Sequence, residues 1–180
     1  MDLPAVIAAL QQEVPAAPLE PAPSVDLHPT VYASRDDLPA LARALRDRTD
    51  LRFDFLAELT AVDLHPREPR FEVVYVLVST VHARRLRLKV RLAGADPRVA
   101  TMSGVWPAAN WLEREVWDLF GIEFAGHPDP RRLLMPEDWQ GYPLRKDSPV
   151  QIRMKPATGQ PLQVTEAEFQ ANIMKDRLTR

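Results

Sequence analysis

FEVVYVLVSTVHARRLRLKVRL, residues 71–92, carries the pattern on which the fold turns. Val73 to Val78 is an unbroken apolar run rich in β-branched side chains, as in a strand covered on both faces or central in a sheet. Further on the alternation is strict. Leu86, Leu88, Val90 and Leu92 share one face, and Arg85, Arg87, Lys89 and Arg91 share the other. Successive strand side chains point to opposite faces, so the second strand buries its aliphatic residues and turns a row of cations outward. With a connector around Thr80 to Arg84, the segments 71–79 and 85–92 are predicted to form an antiparallel hairpin.

Upstream, residues 53–64 mix apolar and polar positions without a clean period and read as a helix end followed by a strand. Leu38, Leu41, Ala42 and Leu45 fall on one helical stripe, with Asp36 or Asp37 as the cap and Pro39 in the first turn. A short strand is expected from Val25 to Ala33. Residues 15–23 hold Pro15, Pro18, Pro21 and Pro23 and read as an irregular or polyproline connector. Before it, Leu3, Val6, Ile7, Leu10 and Val14 recur at helical spacing, with Asp2 able to cap and Pro4 in the first turn.

Downstream, a helix opens at Asn110, with Glu113 placed to return a capping-box bond, and stops at Gly121. Leu112, Val116, Leu119 and Phe120 form its apolar arc, while Arg114 and Asp118 share the polar side as an i,i+4 pair. Glu115 lies at the edge of the apolar stripe. It is therefore expected to be less exposed than Glu113, Arg114 or Asp118, with a cation from Arg131–Arg132 or from a partner beside it. From His127 to Pro161 the chain is dense in proline and lacks a period, the signature of a binding segment or a linker. Trp139, Leu144, Arg131, Arg132, Arg145 and Lys146 argue against a mere spacer. Thr165 and Glu168 make a capping box for a terminal helix bearing Phe169, Ile173 and Met174. A core domain over 1–126 and an extended, Pro-rich C-terminal arm over 127–180 are the expected division.

Composition narrows the function. The 180 residues are 46 % apolar and 27 % charged, an ordinary globular balance. A formal net charge of −2 supplies no field for nucleic acid or an anionic membrane. With no cysteine, disulfides, thiolate metal sites and iron–sulfur ligation are excluded. No basic leader opens the chain, and no apolar run approaches the roughly 20 residues of a membrane span. The expectation is a protein neither exported nor integral.

Residues 111–149, WLEREVWDLFGIEFAGHPDPRRLLMPEDWQGYPLRKDSP, contain ERE followed by DLFGI, then GHP with RR, then WxGxPLRKD. Several blocks in this order closely resemble the signature of the 30 kDa subunit family of respiratory complex I, the NADH-quinone oxidoreductase. The resemblance covers roughly Arg70 to Pro149, and the N-terminal third only in general plan. Pro130 and Ser148 depart from the family, which usually has leucine and an aromatic there; the charged positions are intact. The resemblance implies an α+β fold, a two-layer domain with a mixed, mainly antiparallel sheet packed by helices. It implies further a cofactor-free accessory subunit of NADH:quinone oxidoreductase, peripheral on the cytoplasmic side of the bacterial inner membrane. Its partners would be the quinone-site and iron–sulfur subunits of the peripheral arm, with membrane association only through them and no nucleic acid. The motif residues Glu113, Arg114, Glu115, Asp118, Gly121, His127, Arg131, Arg132, Trp139, Arg145, Lys146 and Asp147 are the candidate interface positions.

Sharper chemistry is disfavoured residue by residue. Paired carboxylates for acid–base work would need two carboxyls converging on a pocket, whereas Glu113 is assigned to the cap and Asp118 to Arg114. His127 lies apart in sequence from His28, His65 and His82, with no short ligand spacing. The arginine pairs follow no Gly-rich phosphate loop, so partner carboxylates suit their guanidinium forks better. No catalytic, cofactor-binding or metal residue is therefore expected. Two alternatives remain: a free-standing α+β binding protein whose cationic strand takes RNA or an acidic partner, and the equivalent subunit of a membrane-bound hydrogenase or ferredoxin-type complex.

Overall fold

The computed structural model describes residues 3–26 and 28–149. The chain divides after Ser148 into two units, and only the first is described below. The segment from His127 to Ser148 lies within the first unit. The Asp2 cap and the Thr165–Glu168 capping box lie outside the described residues.

The predicted hairpin forms as β4 (Phe71–Ser79) and β5 (Arg84–Leu92), paired antiparallel from Phe71↔Leu92 to Ser79↔Arg84. β3 (Phe55–Asp63) adds to β4 antiparallel, with a bulge between Leu56 and Glu58. The helix end expected before it lies further back, since α2 (Leu38–Asp47) has already stopped. On the other side, β2 (Thr30–Ala33) runs parallel to β5, and β1 (Glu20–Ala22) closes the edge antiparallel to β2. The order is β1-β2-β5-β4-β3, a mixed and mainly antiparallel sheet.

Two upstream expectations are corrected here. The proline-rich connector contains β1; as an edge strand it can hold Pro21, whose missing N–H costs no ladder bond on the solvent side. The strand expected from Val25 starts only at Thr30, and Val25 is fully exposed.

Period-2 alternation decides the layers. Leu86, Leu88, Val90 and Leu92 of β5 stand opposite Leu77, Tyr75, Val73 and Phe71 of β4, and all eight are buried. α1 (Leu3–Glu13) contributes Val6 and Leu10 to this core, α2 contributes Leu38, Leu41 and Leu45, and α3 (Ala109–Phe120) contributes Val116 and Phe120. Asp37 does cap α2, but through its carbonyl, which accepts the Ala40 and Leu41 amides; its carboxylate makes no cap bond. A small parallel pair, β6 (Arg98–Ala100) and β7 (Glu123–Ala125), flanks α3 in sequence.

α3 does not begin as its sequence suggests. Its N-cap is Ala108, and Asn110 lies inside the first turn. The amides of Ala109, Asn110 and Trp111 donate to the carbonyls of Trp106, Pro107 and Ala108, so an overwound turn satisfies donors that a capping side chain would otherwise take. Glu113 is thereby freed from the cap. The C-terminal stop is as predicted: Gly121 is left-handed at φ 70°, and its amide returns to Trp117 O at 2.8 Å.

Candidate functional site: a helix clasped by the segment that follows it

The motif residues converge on α3 and the chain after β7. Asp118 is fully buried. Its Oδ1 accepts Arg132 Nη1 at 2.6 Å, and its Oδ2 accepts the backbone amides of Leu133, Leu134 and Met135 at 3.0, 2.7 and 2.8 Å. Burial alone would push this carboxyl up. The three amides and the guanidinium outweigh that and hold it below the ordinary carboxylate range. Arg132 also reaches Trp139 O at 3.0 Å, which ties down the half-buried Trp139.

One turn earlier, Arg114 donates to the carbonyls of Arg131 and Arg132 at 3.0 and 3.2 Å, and stands 3.6 Å from Asp129. Arg131 itself is exposed and pairs with Asp129 at 2.6 Å. At the end of α3, Arg145 donates to the Phe120 and Gly121 carbonyls, and the Leu144 amide to Leu119 O. Cations near a helix C-terminus meet the negative end of its dipole. Gly121 is needed twice over, because a Cβ there would collide with the Tyr142 ring.

Two residues outside the motif, Arg70 and Asp63, close the clasp. Arg70 bridges Asp63 at 2.8 Å and Asp147 at 2.8 Å, and Asp63 also accepts the Lys146 amide at 2.8 Å. Arg70 keeps the Asp63 carboxyl well below the usual range. Asp63 was legible in principle: it stands at the core-facing parity of β3 after Leu59 and Ala61, a charge in a run of buried positions. Arg70, Asp129 and Tyr142 gave no such signal.

Glu115 corrects the helical-wheel argument. It is half-buried and makes no ion pair among the described residues, while Glu113, Arg114 and Asp118 are buried. The wheel assumed a solvated polar face, and residues 127–135 cover that face instead. Glu113 turns to the loop after β6, accepting Met102 N at 2.6 Å and Thr101 Oγ1 at 2.5 Å. His127 Nε2 meets Asn110 O at 3.0 Å, and its Nδ1 accepts the Asp129 amide at 3.0 Å. Arg132 and Arg145 find oxygens within the chain.

Three cations of the strand are answered as well. Arg87 pairs with Asp26, Lys89 with Glu72 at 3.0 Å, and Arg91 with Glu20 at 3.4 Å while stacking 3.6 Å above the Tyr32 ring. Of its large apolar side chains the clasped helix and segment leave Trp111, Leu134 and Leu144 outward, 59, 58 and 51 % exposed. Among the described residues no group of three His, Asp or Glu side chains could hold a metal ion, and no helix is long and apolar enough to cross a membrane.

Comparison with known proteins agrees with this geometry. The profile of the respiratory-chain NADH dehydrogenase 30 kDa subunit matches residues 31–153. An NADH-quinone oxidoreductase subunit of Roseiflexus castenholzii is 46 % identical over 151 residues, covering 83 % of this chain and 86 % of the relative. Its counterpart in Roseiflexus sp. (strain RS-1) is 51 % identical over 121 residues, 67 % of this chain and 70 % of the relative. Among solved structures, the trypsin-resistant fragment (1–134) of Nqo5 superposes with a TM-score of 0.58 at 34 % identity, over 72 % of this chain and 99 % of the fragment. A chain of the membrane-bound sulfane sulfur reductase, an archaeal respiratory membrane complex, shares the fold at a TM-score of 0.62 and 24 % identity, over 82 % of this chain and 85 % of that one. With the matched profile spanning β3 to β5, α3 and the clasp, the chain belongs to the family of respiratory-chain NADH dehydrogenase 30 kDa subunits.

Proposed function

We propose that this chain is a cofactor-free subunit of the peripheral arm of proton-translocating NADH:quinone oxidoreductase, with no bond chemistry of its own. It docks onto the subunits that frame the quinone site and onto iron–sulfur subunits, on the cytoplasmic side of the bacterial inner membrane, and meets the membrane only through them. The observation that carries this reading is how the motif is used. Its buried Arg114 and Asp118 are consumed in fixing the clasp, and the clasped helix and segment present Trp111, Leu134 and Leu144 outward. Large apolar side chains held outward suit a protein partner, since aromatic anchors dominate interface cores. The names of the relatives point to the same assembly. The rival reading as an RNA-binding module is weakened, because Arg87, Lys89 and Arg91 already have carboxylate partners.

Affinity capture of the full-length tagged chain from detergent-solubilised membranes tests this. Co-purification of the other oxidoreductase subunits in near-equal amounts is expected, and the isolated chain should neither oxidise NADH nor reduce a quinone. Recovery with nucleic acid alone, with hydrogenase subunits, or with no partner would overturn the reading.

A further inference from the structure

Glu113 is a fully buried motif carboxylate that the clasp does not engage. Its side chain has no exposure, and the basic group nearest to it among the described residues is His127, whose Nε2 lies 3.9 Å from Oε2. That ring does not neutralise a carboxylate as it stands. Its Nδ1 accepts the Asp129 amide, so a neutral ring carries its proton on Nε2, where Asn110 O takes it. Arg114, next in sequence, is turned to the carbonyls of Arg131 and Arg132. From β4 the only titratable group brought near is the Tyr75 phenol, fully buried, with a hydroxyl that has no hydrogen-bond partner. β3 turns Leu56, Leu59 and Ala61 to the core, and Glu123 of β7 is at the surface, paired with Arg98.

A buried charge without a counter-charge is costly, and a carboxyl in that position takes up a proton instead. The hydroxyls around Glu113 supply a route for it. Oε2 meets Thr101 Oγ1 at 2.5 Å, Thr101 Oγ1 meets Ser103 Oγ at 2.9 Å, and Ser103 is half-buried at the rim of the loop. A hydroxyl both donates and accepts, so each link can pass a proton on by rotation.

We infer that Glu113 is a proton-binding site of this subunit, protonated in the neutral form within the core and exchanging with solvent along Thr101 and Ser103. Burial pushes the Glu113 carboxyl up to about 7, opposed by its bonds from Thr101 and Met102, so the site fills and empties around neutral pH. The sign for stability follows from the folded value lying above the unfolded one. The folded state binds the extra proton between the two values, and stability falls as pH rises through that window.

Carbon-13 NMR of the full-length chain labelled at glutamate carboxyls reads the site directly, with Glu113→Gln identifying the resonance by its loss. A midpoint near 7 is expected, against 4.5 for an ordinary glutamate. Thr101→Val should move the midpoint higher, since it deletes a donor to the charged form, and Thr101→Ser should restore it. In denaturant titrations the wild-type folding constant should fall on the order of a hundredfold between the two values, a fall that Glu113→Gln lacks. A midpoint near 4.5, or one indifferent to Thr101→Val, would overturn the inference. Should Glu113→Gln not fold, the Thr101 pair in the otherwise native chain still decides the matter.

Discussion

A carboxylate is stable in a protein interior only where donors replace water, and Asp118 meets that condition with four. The consequence is asymmetric. Arg132→Met should destabilise by about 3–5 kcal/mol, because it strands a buried charge, whereas Asp118→Asn with Arg132→Met should cost less than Arg132→Met alone. Urea unfolding of the two variants checks this. Because the Asp118 carboxyl is held below its ordinary value of 3.8, its contribution is present above that value and is lost as pH falls towards the folded one. An Asp118→Asn variant should lack that part of the acid destabilisation. Glu115 carries no such burden, and Glu115→Gln should leave stability within about 0.5 kcal/mol.

At the scale of elements, α3 and the segment from His127 to Ser148 are one unit. The helix offers Arg114, Asp118 and its terminal carbonyls; the segment offers Arg132, Arg145 and the amides of 133–135. Prolines deny the segment a ladder of its own, so it takes its hydrogen bonds from the helix and from Asp63. Ending the chain after Ser148 should therefore leave a cooperatively folding protein. Ending it after Gly126 should destabilise the remainder by several kcal/mol, since Asp118 and the α3 carbonyls lose their partners together. Thermal melts of the two truncations give the comparison; equal melting temperatures would show that the clasp contributes nothing to the core.

At the scale of the whole molecule, one face of the sheet shares its core with α1, α2 and α3, and the other carries the charged row of β5 beside Val74, Val76 and Val78 of β4. Asp26, Glu20 and Glu72 come from β4 and from the segment around β1, and they pair with Arg87, Lys89 and Arg91, three of the four cations of a row that looks free in the sequence. The exposed Arg91–Glu20 pair contributes little to stability, whereas Glu72 is buried beside Lys89. All three acids act on the field, and hence on which partners are attracted. Wild-type protein should leave a heparin column at low salt, and a Glu20→Gln, Asp26→Asn, Glu72→Gln variant should need markedly more. Equal elution would mean that the acids do not mask the row.

The local sequence by itself determined the hairpin, the α2 stripe, the glycine stop of α3 and the family, since each rests on short-range periodicity or on a compact motif. Alternation in residues 85–92 suffices to tell inside from outside because strand geometry leaves no third direction. Only the tertiary structure decided which charges are buried. Helical spacing ranked Glu115 as the most buried carboxylate on the premise that the opposite face meets water, and a segment some 15 residues downstream covers that face instead. The same holds for β1 and for the start of α3: an edge position made Pro21 tolerable, and a preceding turn replaced the Asn110 cap. A residue's own neighbours in sequence bias its secondary structure, while its solvation is set by whatever part of the chain comes to lie over it.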